Sequence, residues 1–126
     1  MIVVDASVVV DHLVGRDERL VGAVTGRMHA PHVIDHEVLS VLRRYARRRE
    51  VSEARIIDAL TDYDGFGVVR WTAGADLRRR AFELRDNLTA YDAAYVVLAE
   101  ALDCPLVTRD RRLADAAGHL VAVQVL

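Results

Sequence analysis

Short apolar runs alternate with stretches of helical periodicity along the sequence, and this alternation restricts the fold more than any other feature. The first apolar run, Met1–Val4, ends at Asp5, and a helix is expected from Ser7 to about Leu13, where Gly15 ends it. Further strands are predicted at Met28–Ala30, Gly67–Trp71, Pro105–Thr108 and Leu120–Val125. Short apolar strands that alternate with helices are typical of an α/β domain with a mainly parallel sheet.

The predicted helices differ in how much apolar surface they carry. In the clearest amphipathic helix, Val38, Leu42 and Tyr45 recur at helical spacing, while Arg43 and Arg44 fall on the opposite face. Other helices are predicted at about Asp17–Thr25, from the N-cap Ser52 through about Leu60, and at Ala75–Arg85, Ala90–Leu102 and Arg111–Ala117. The helix at residues 90–102 is apolar along most of its length, which predicts a nearly buried position.

Composition excludes several functional classes. The chain has 126 residues and a formal net charge of −2, and no linker divides it, so one domain over residues 1–126 is expected. All 17 basic residues are arginine. Without lysine, the chain lacks the phosphate-binding residue of a P-loop and the amine of Schiff-base enzymes. Any cation that it offers to a ligand is therefore a guanidinium or a bound metal ion.

Cysteine usage and the N-terminal sequence bear on the cellular compartment. Cys104 is the single cysteine, so it cannot form an internal disulfide, and a packed, unreactive thiol is expected. Charged residues interrupt the apolar start, and no positively charged segment precedes it, which argues against a signal peptide or a membrane span. We therefore expect a cytoplasmic protein that does not associate with membranes.

Four acidic residues stand at the ends of predicted elements. Asp5 follows the first strand, and Asp110 follows the strand that ends at Thr108. Glu37 and Asp92 lie in the first turns of their helices. Ligands of a parallel α/β sheet bind beyond the carboxyl ends of the strands, so these four residues, here called the acidic quartet, are expected on one rim.

Each member of the quartet also has a structural explanation. Asp5 and Asp110 occupy positions that suit helix N-caps. Glu37 complements the positive end of a helix dipole, and Asp92 forms a capping box with Thr89. Position within an element therefore leaves both interpretations open for each residue taken alone.

Four carboxylates on one rim would repel one another. Their proximity raises the pKa of at least one of them and destabilises the fold unless a cation neutralises the charge. Mg²⁺ or Mn²⁺ suits carboxylate and water oxygens, and such ions activate a water for attack on a phosphodiester. The quartet thus predicts a divalent metal site with hydrolytic chemistry.

Other candidate features are weaker. A zinc site at His29, His32 and His36 is not expected, because Ser40 stands where an HExxH motif needs its second histidine. Two further acids are expected to be solvated helix residues, and three aromatic residues are assigned to core packing. These acids are Asp11 and Asp115, and the aromatic residues are Trp71, Tyr91 and Tyr95.

Four segments resemble, in order, the motifs of the PIN-domain ribonucleases, and more narrowly of VapC-type toxins from bacterial toxin–antitoxin pairs. They are Val3–Ser7, His36–Arg44, Leu88–Tyr95 and Pro105–Leu113, and the resemblance spans essentially the whole chain. It implies a three-layer α/β/α sandwich with a central, mainly parallel sheet of four to five strands. It also implies a Mg²⁺- or Mn²⁺-dependent endoribonuclease whose catalytic metal ligands are Asp5, Glu37, Asp92 and Asp110.

The resemblance further implies supporting hydroxyls at Ser7 and Thr108, an RNA substrate of the tRNA or rRNA class, a homodimer, and a small antitoxin that covers the acidic groove. Arginines beside the quartet are candidates for binding RNA phosphates. They are Arg43, Arg44, Arg109, Arg111 and Arg112. Two alternatives stay open: a DNA- or structure-specific nuclease on the same fold, and a non-catalytic module that binds an arginine-rich partner through its acidic rim.

Overall fold

The computed structural model describes residues 1–24 and 26–126, and within them five short strands form one parallel sheet. The strands are β1 (Ile2–Val4), β2 (Met28–Pro31), β3 (Val69–Trp71), β4 (Leu106–Thr108) and β5 (Val123–Val125). Their order across the sheet is β3-β2-β1-β4-β5, and each neighbouring pair is parallel. The predicted α/β class with a parallel sheet is confirmed.

Seven helices connect these strands within the described residues. They are α1 (Ala6–Leu13), α2 (Arg19–Ala23), α3 (Ile34–Arg47), α4 (Glu53–Asp64), α5 (Ala75–Glu83), α6 (Ala90–Leu102) and α7 (Arg111–Ala117). α1 packs against α2, α3 and α4, whereas α6 packs against α5 and against the three strands β1, β2 and β4. Right-handed crossovers place the first group on one face of the sheet and α5 to α7 on the other.

The core lies around the two central strands. β1 and β4 are buried along their whole length, because helices cover both faces of the sheet there. The edge strands β3 and β5 are only partly buried, and each is shorter than predicted. The helix predicted over about 17–25 is also shorter, and position 25 lies outside the described residues.

The order of the strands creates a crevice beside β1. From β1 the chain builds outward to β2 and β3, and then returns to β4 on the other side of β1. The connections that leave β1 and β4 therefore diverge to opposite faces, which is where open α/β sheets bind ligands. In the part of the chain that the structure describes, no helix has the length and apolar character needed to cross a bilayer.

Candidate functional site

Asp5 lies at this crevice and is the N-cap of α1. Its Oδ1 atom accepts hydrogen bonds from the Ser7 N–H at 3.0 Å, the Ser7 hydroxyl at 2.6 Å and the Val8 N–H at 3.2 Å. The residue is only 9% exposed, and burial raises the pKa of its carboxyl group despite these bonds. The capping interpretation is correct for Asp5, and the second carboxylate oxygen is free of the capping bonds.

Thr108 connects Asp5 to the neighbouring strand. It is the last residue of β4 and fully buried, and its hydroxyl donates to Oδ2 of Asp5. The same hydroxyl accepts the Asp110 N–H at 3.0 Å. Asp110 in turn caps α7 through bonds from the N–H groups of Arg112 and Leu113, at 2.9 and 3.2 Å. The carboxyl ends of β1 and β4 are thus joined by a continuous chain of polar contacts.

Glu37 is in a different electrostatic situation. It lies in the first turn of α3 and is partly buried, and its Oε1 atom is buried without a hydrogen-bond partner among the described residues. Burial, followed by the negative charges of Asp5 and Asp92, raises the pKa of Glu37 to about 7. Three members of the quartet therefore influence one another across the crevice.

Asp92 lies in the first turn of α6, where the Thr89 hydroxyl accepts its N–H at 3.1 Å. One turn further along the same helix, the Tyr95 hydroxyl is buried with no hydrogen-bond partner in the described part of the chain. Burial and the charges of Glu37 and Asp5 raise the pKa of Tyr95. The Tyr95 ring lies in the core, as expected. Its hydroxyl was not predicted to belong to the site, although residues three apart on a helix are neighbours and Tyr95 stands three residues after Asp92.

The four carboxylates of the quartet do not form a coordination shell in this structure. Among residues 1–24 and 26–126, no three His, Cys, Asp or Glu side chains stand together as ligands of one ion. Asp5 and Asp110 are fixed by hydrogen bonds, while one oxygen of Glu37 has none.

The arginines beside the quartet differ in what they contact. Arg43 and Arg44 are exposed and line an open depression on the outer face of α3. Arg111 and Arg112, at the start of α7, are also exposed. Arg109 is different, because its guanidinium lies 2.5 Å from the Asp11 carboxylate. Two pairs of arginines are thus accessible to a phosphate chain, and Arg109 is engaged within the protein.

Asp11, Tyr91 and Trp71 correct three expectations. Asp11 is 5% exposed and bonded to other elements, so the prediction of a solvated residue is wrong, whereas Asp115 is exposed as predicted. Tyr91 is 64% exposed and Trp71 is 39% exposed, so the prediction that they pack in the core is wrong for both. His29 is buried, and its Nδ1 accepts the Trp71 indole N–H at 2.9 Å, in agreement with a structural histidine.

Known proteins share this fold and sequence. The PIN domain model matches residues 2–119. Ribonuclease VapC9 of Mycobacterium tuberculosis strain H37Rv is 45% identical over 117 residues, covering 91% of this chain and 90% of the relative. Ribonuclease VapC1 of the same strain is 40% identical over 121 residues, covering 92% and 90%. The chain belongs to the VapC ribonucleases of the PIN-domain family.

Solved PIN-domain structures agree in fold. PAE2754 from Pyrobaculum aerophilum superimposes with a TM-score of 0.71 at 27% identity, covering 98% of this chain and 83% of that one. VapBC2 from Rickettsia felis, bound to a promoter DNA fragment, gives a TM-score of 0.72 at 11% identity, covering 100% and 99%.

VapC ribonucleases of the PIN-domain family generally depend on divalent metal ions.

Proposed function

We propose that residues 1–126 form a single nuclease domain that hydrolyses RNA phosphodiester bonds with the help of Mg²⁺ or Mn²⁺, as the toxin of a toxin–antitoxin pair. The observation that carries this proposal is the state of Glu37. Its Oε1 atom is buried without a hydrogen-bond partner by distance and angle among the described residues. Burial, followed by the charges of Asp5 and Asp92, raises its pKa to about 7, against a smaller lowering by the nearby Tyr95 hydroxyl. A buried carboxylate in the field of two others is destabilising alone and becomes favourable beside a cation.

The residues of the crevice fit a divalent ion. Carboxylate oxygens are the ligands that Mg²⁺ and Mn²⁺ prefer, and the donor set contains no thiolate that would favour zinc. We assign Asp5, Glu37, Asp92 and Asp110 as the metal-holding and catalytic residues. When bound, the ion supplies a water of lowered pKa and positive charge for the leaving oxygen.

The hydroxyl groups of the site orient the ligands. Ser7 and Thr108 donate to different oxygens of Asp5, which fixes the carboxylate plane. Thr108 also accepts the Asp110 N–H, so one side chain positions two members of the quartet. Metal-ligating carboxylates are commonly held by such hydrogen bonds, and loss of the supporting group weakens metal binding.

RNA is the substrate that the relatives favour. The similar proteins at 40–45% identity are named ribonucleases. Exposed arginines flank the quartet on two sides, where they would bind RNA phosphates: Arg43 and Arg44 on α3, and Arg111 and Arg112 on α7. VapC20 of M. tuberculosis, which shares this fold, is described as cleaving the sarcin–ricin loop, so tRNA and rRNA are the first substrates to test.

An exposed apolar face supports a protein partner. Trp71 and Phe82 are 39% and 65% exposed, and they line a depression with Leu77, Leu88 and Val97. An apolar patch of this kind marks an interaction surface in a protein of this size. We propose a small antitoxin and a second copy of the chain as partners, in the cytoplasm. A structural neighbour from Klebsiella pneumoniae is a toxin–antitoxin complex.

The test is cleavage of tRNA and rRNA by the purified chain with Mg²⁺, Mn²⁺ or EDTA, beside single-stranded DNA. We expect RNA cleavage with either ion and none in EDTA. Asp92→Asn abolishes cleavage with the fold intact, since one charge is lost at nearly constant volume. The matched control Asp115→Asn, on the exposed face of α7, cleaves as the unmodified chain does.

Four outcomes would contradict the proposal. Cleavage that persists unchanged in EDTA would exclude the metal mechanism. Cleavage of DNA alone would favour the DNA nuclease, and no cleavage of any substrate would favour a binding module. Undiminished cleavage by Asp92→Asn would remove that residue from the site.

A further inference from the structure

We propose that Asp11 is a positioning residue for this nuclease site. Its buried carboxylate ties α3, which carries Glu37, to Arg109, which stands between Thr108 at the end of β4 and Asp110. The inference rests on the proposed function, since it assigns a residue to the support of the same site. Asp11 itself does not contact the quartet in the described contacts; it acts through Tyr45 and Arg109, and these three residues are here called the Asp11 cluster.

Both oxygens of Asp11 are engaged by other elements. The Tyr45 hydroxyl of α3 donates to Oδ1 at 2.5 Å, and the Arg109 guanidinium donates to Oδ2 at 2.5 Å. Asp11 is only 5% exposed, while the side chain of Arg109 is 36% exposed. Hydrogen bonds to a charged group are stronger than those between neutral groups.

Arg109 is held from two sides. The same guanidinium nitrogen lies 3.1 Å from Asp17, and Arg19 binds both oxygens of Asp17. The hydrogen bonds from Arg19 hold the pKa of Asp17 well below its usual range. Arg109 therefore lies in an anionic socket formed by Asp11 and Asp17, while its own side chain stays 36% exposed.

The position of Arg109 in the chain makes this socket relevant to the site. Its main chain lies between Thr108, whose hydroxyl donates to Asp5, and Asp110, whose N–H that hydroxyl accepts. Anchoring the Arg109 side chain restricts the main chain at both neighbours. Loss of the anchor therefore loosens the only described side-chain link between Asp5 and Asp110.

The other partner acts on the opposite side of the crevice. Tyr45 stands eight positions after Glu37 on α3, about 2.2 turns at 3.6 residues per turn, so its bond to Asp11 anchors the helix that carries Glu37. Asp11 lies on α1, the helix that Asp5 caps. One carboxylate thus connects the three elements that carry Asp5, Glu37 and Asp110.

A purely structural role would also make Asp11 sensitive to substitution, because breaking a buried ion pair destabilises a fold. The test therefore compares Asp11→Asn, Arg109→Gln and Tyr45→Phe with Glu100→Gln. The control removes the Arg80–Glu100 ion pair, which joins α5 to the end of α6 remote from Asp92. Each variant is studied well below its unfolding temperature.

Two readouts report on the site rather than on the fold. Calorimetry measures the Mn²⁺ concentration that half-saturates the protein, and amide hydrogen exchange by NMR measures the protection of the Asp110 and Arg112 N–H groups. We expect Asp11→Asn and Arg109→Gln to raise the half-saturating concentration about tenfold, the lower end of the range typical of residues that support metal ligands. Tyr45→Phe should raise it by a smaller factor, because Asp11 keeps its bond to Arg109. Exchange at Asp110 accelerates in the first two variants, and Glu100→Gln changes neither readout.

The double variant of Asp11→Asn and Arg109→Gln decides whether the two residues act together. If they form one unit, the double variant weakens Mn²⁺ binding no more than either single variant does. Unchanged Mn²⁺ affinity and unchanged Asp110 exchange in the folded single variants would overturn the proposal. If Asp11→Asn fails to fold, the same two readouts on Arg109→Gln decide in its place.

Failure of the proposed function would look different. A wild-type chain that neither binds Mn²⁺ nor cleaves RNA would refute the metal mechanism directly. The exchange readout needs neither ion nor substrate, so it would still show whether Asp11 fixes the turn at Asp110.

Discussion

The acidic quartet has two halves that differ in how they are held: Asp5 and Asp110, which follow strands and are called the strand-edge half, and Glu37 and Asp92, which lie within helices and are called the helix-side half. In the strand-edge half, Asp5 accepts four hydrogen bonds and Asp110 accepts two. Thr108 connects the two residues. On the helix side, Glu37 has a buried oxygen without a partner, and the nearby Tyr95 hydroxyl is also unpartnered among the described residues. One half is organised before any ion arrives, and the other carries the electrostatic strain that an ion would relieve.

The backbone explains this difference. Asp5 and Asp110 are N-caps, and the N–H groups at the start of a helix are natural partners for a short carboxylate. Glu37 lies inside α3 and has a longer side chain, so its carboxylate reaches away from its own helix toward Asp5 and Asp92. Local structure thus stabilises the first half, while the second depends on a ligand.

The largest effect is expected from breaking the strand-edge half. Asp5→Asn keeps an oxygen for the N–H groups of Ser7 and Val8 but removes a charge from the proposed site. We expect RNA cleavage to fall at least about a hundredfold, beyond the usual effect of a residue that only supports a ligand. Circular dichroism and thermal unfolding should show a retained fold, and cleavage within threefold of the unmodified chain would contradict the assignment.

In the helix-side half, removing a charge should increase the stability of the metal-free protein. Glu37→Gln removes a carboxyl group whose pKa is raised from 4.5 to about 7 by burial and by Asp5 and Asp92. An acid with a raised pKa in the folded state destabilises the fold once it is ionised, so the penalty grows between these values and is complete above pH 7. Without metal at pH 8, we expect the variant to be more stable by about 1–3 kcal/mol.

Denaturant unfolding at pH 8 and at pH 4.5 measures this effect. Most of the gain should vanish at the lower pH, where the folded chain holds the proton and the unfolded chain, with a pKa of 4.5, is about half protonated. Glu53→Gln, an exposed acid in the first turn of α4, is the matched control and should give no comparable gain. A loss of stability at pH 8 would contradict the strain ascribed to Glu37.

A smaller effect is expected from removing the Thr108 hydroxyl, which connects Asp5 and Asp110 within the strand-edge half. Thr108→Val preserves shape but removes the hydroxyl that donates to Asp5 and accepts the Asp110 N–H. We expect Mn²⁺ binding to weaken about tenfold. Calorimetry measures the affinity, and Thr61→Val, whose hydroxyl bonds only the Ile57 carbonyl within α4, serves as the control. Equal Mn²⁺ affinity in both variants would remove Thr108 from the supporting set.

Local patterns were sufficient for much of the fold. The apolar run before Asp5, the helix at Ala90–Leu102 and the capping residues Ser52 and Thr89 appear in the structure as predicted. The strands predicted at 67–71 and 120–125 are longer than the observed edge strands β3 and β5. The sequence overestimates their length because the ends of a strand depend on which neighbouring strand is present for pairing.

The sequence by itself determined the alternation of strands and helices, the absence of lysine chemistry, and the candidate acids at element ends, because each of these follows from residue type and spacing. The tertiary structure decided that Asp11 is buried against Tyr45 and Arg109, partners 34 and 98 positions away. It also decided that Glu37 lies in the field of Asp5 and Asp92. Burial and charge proximity depend on the packing of distant segments, and no local pattern records them.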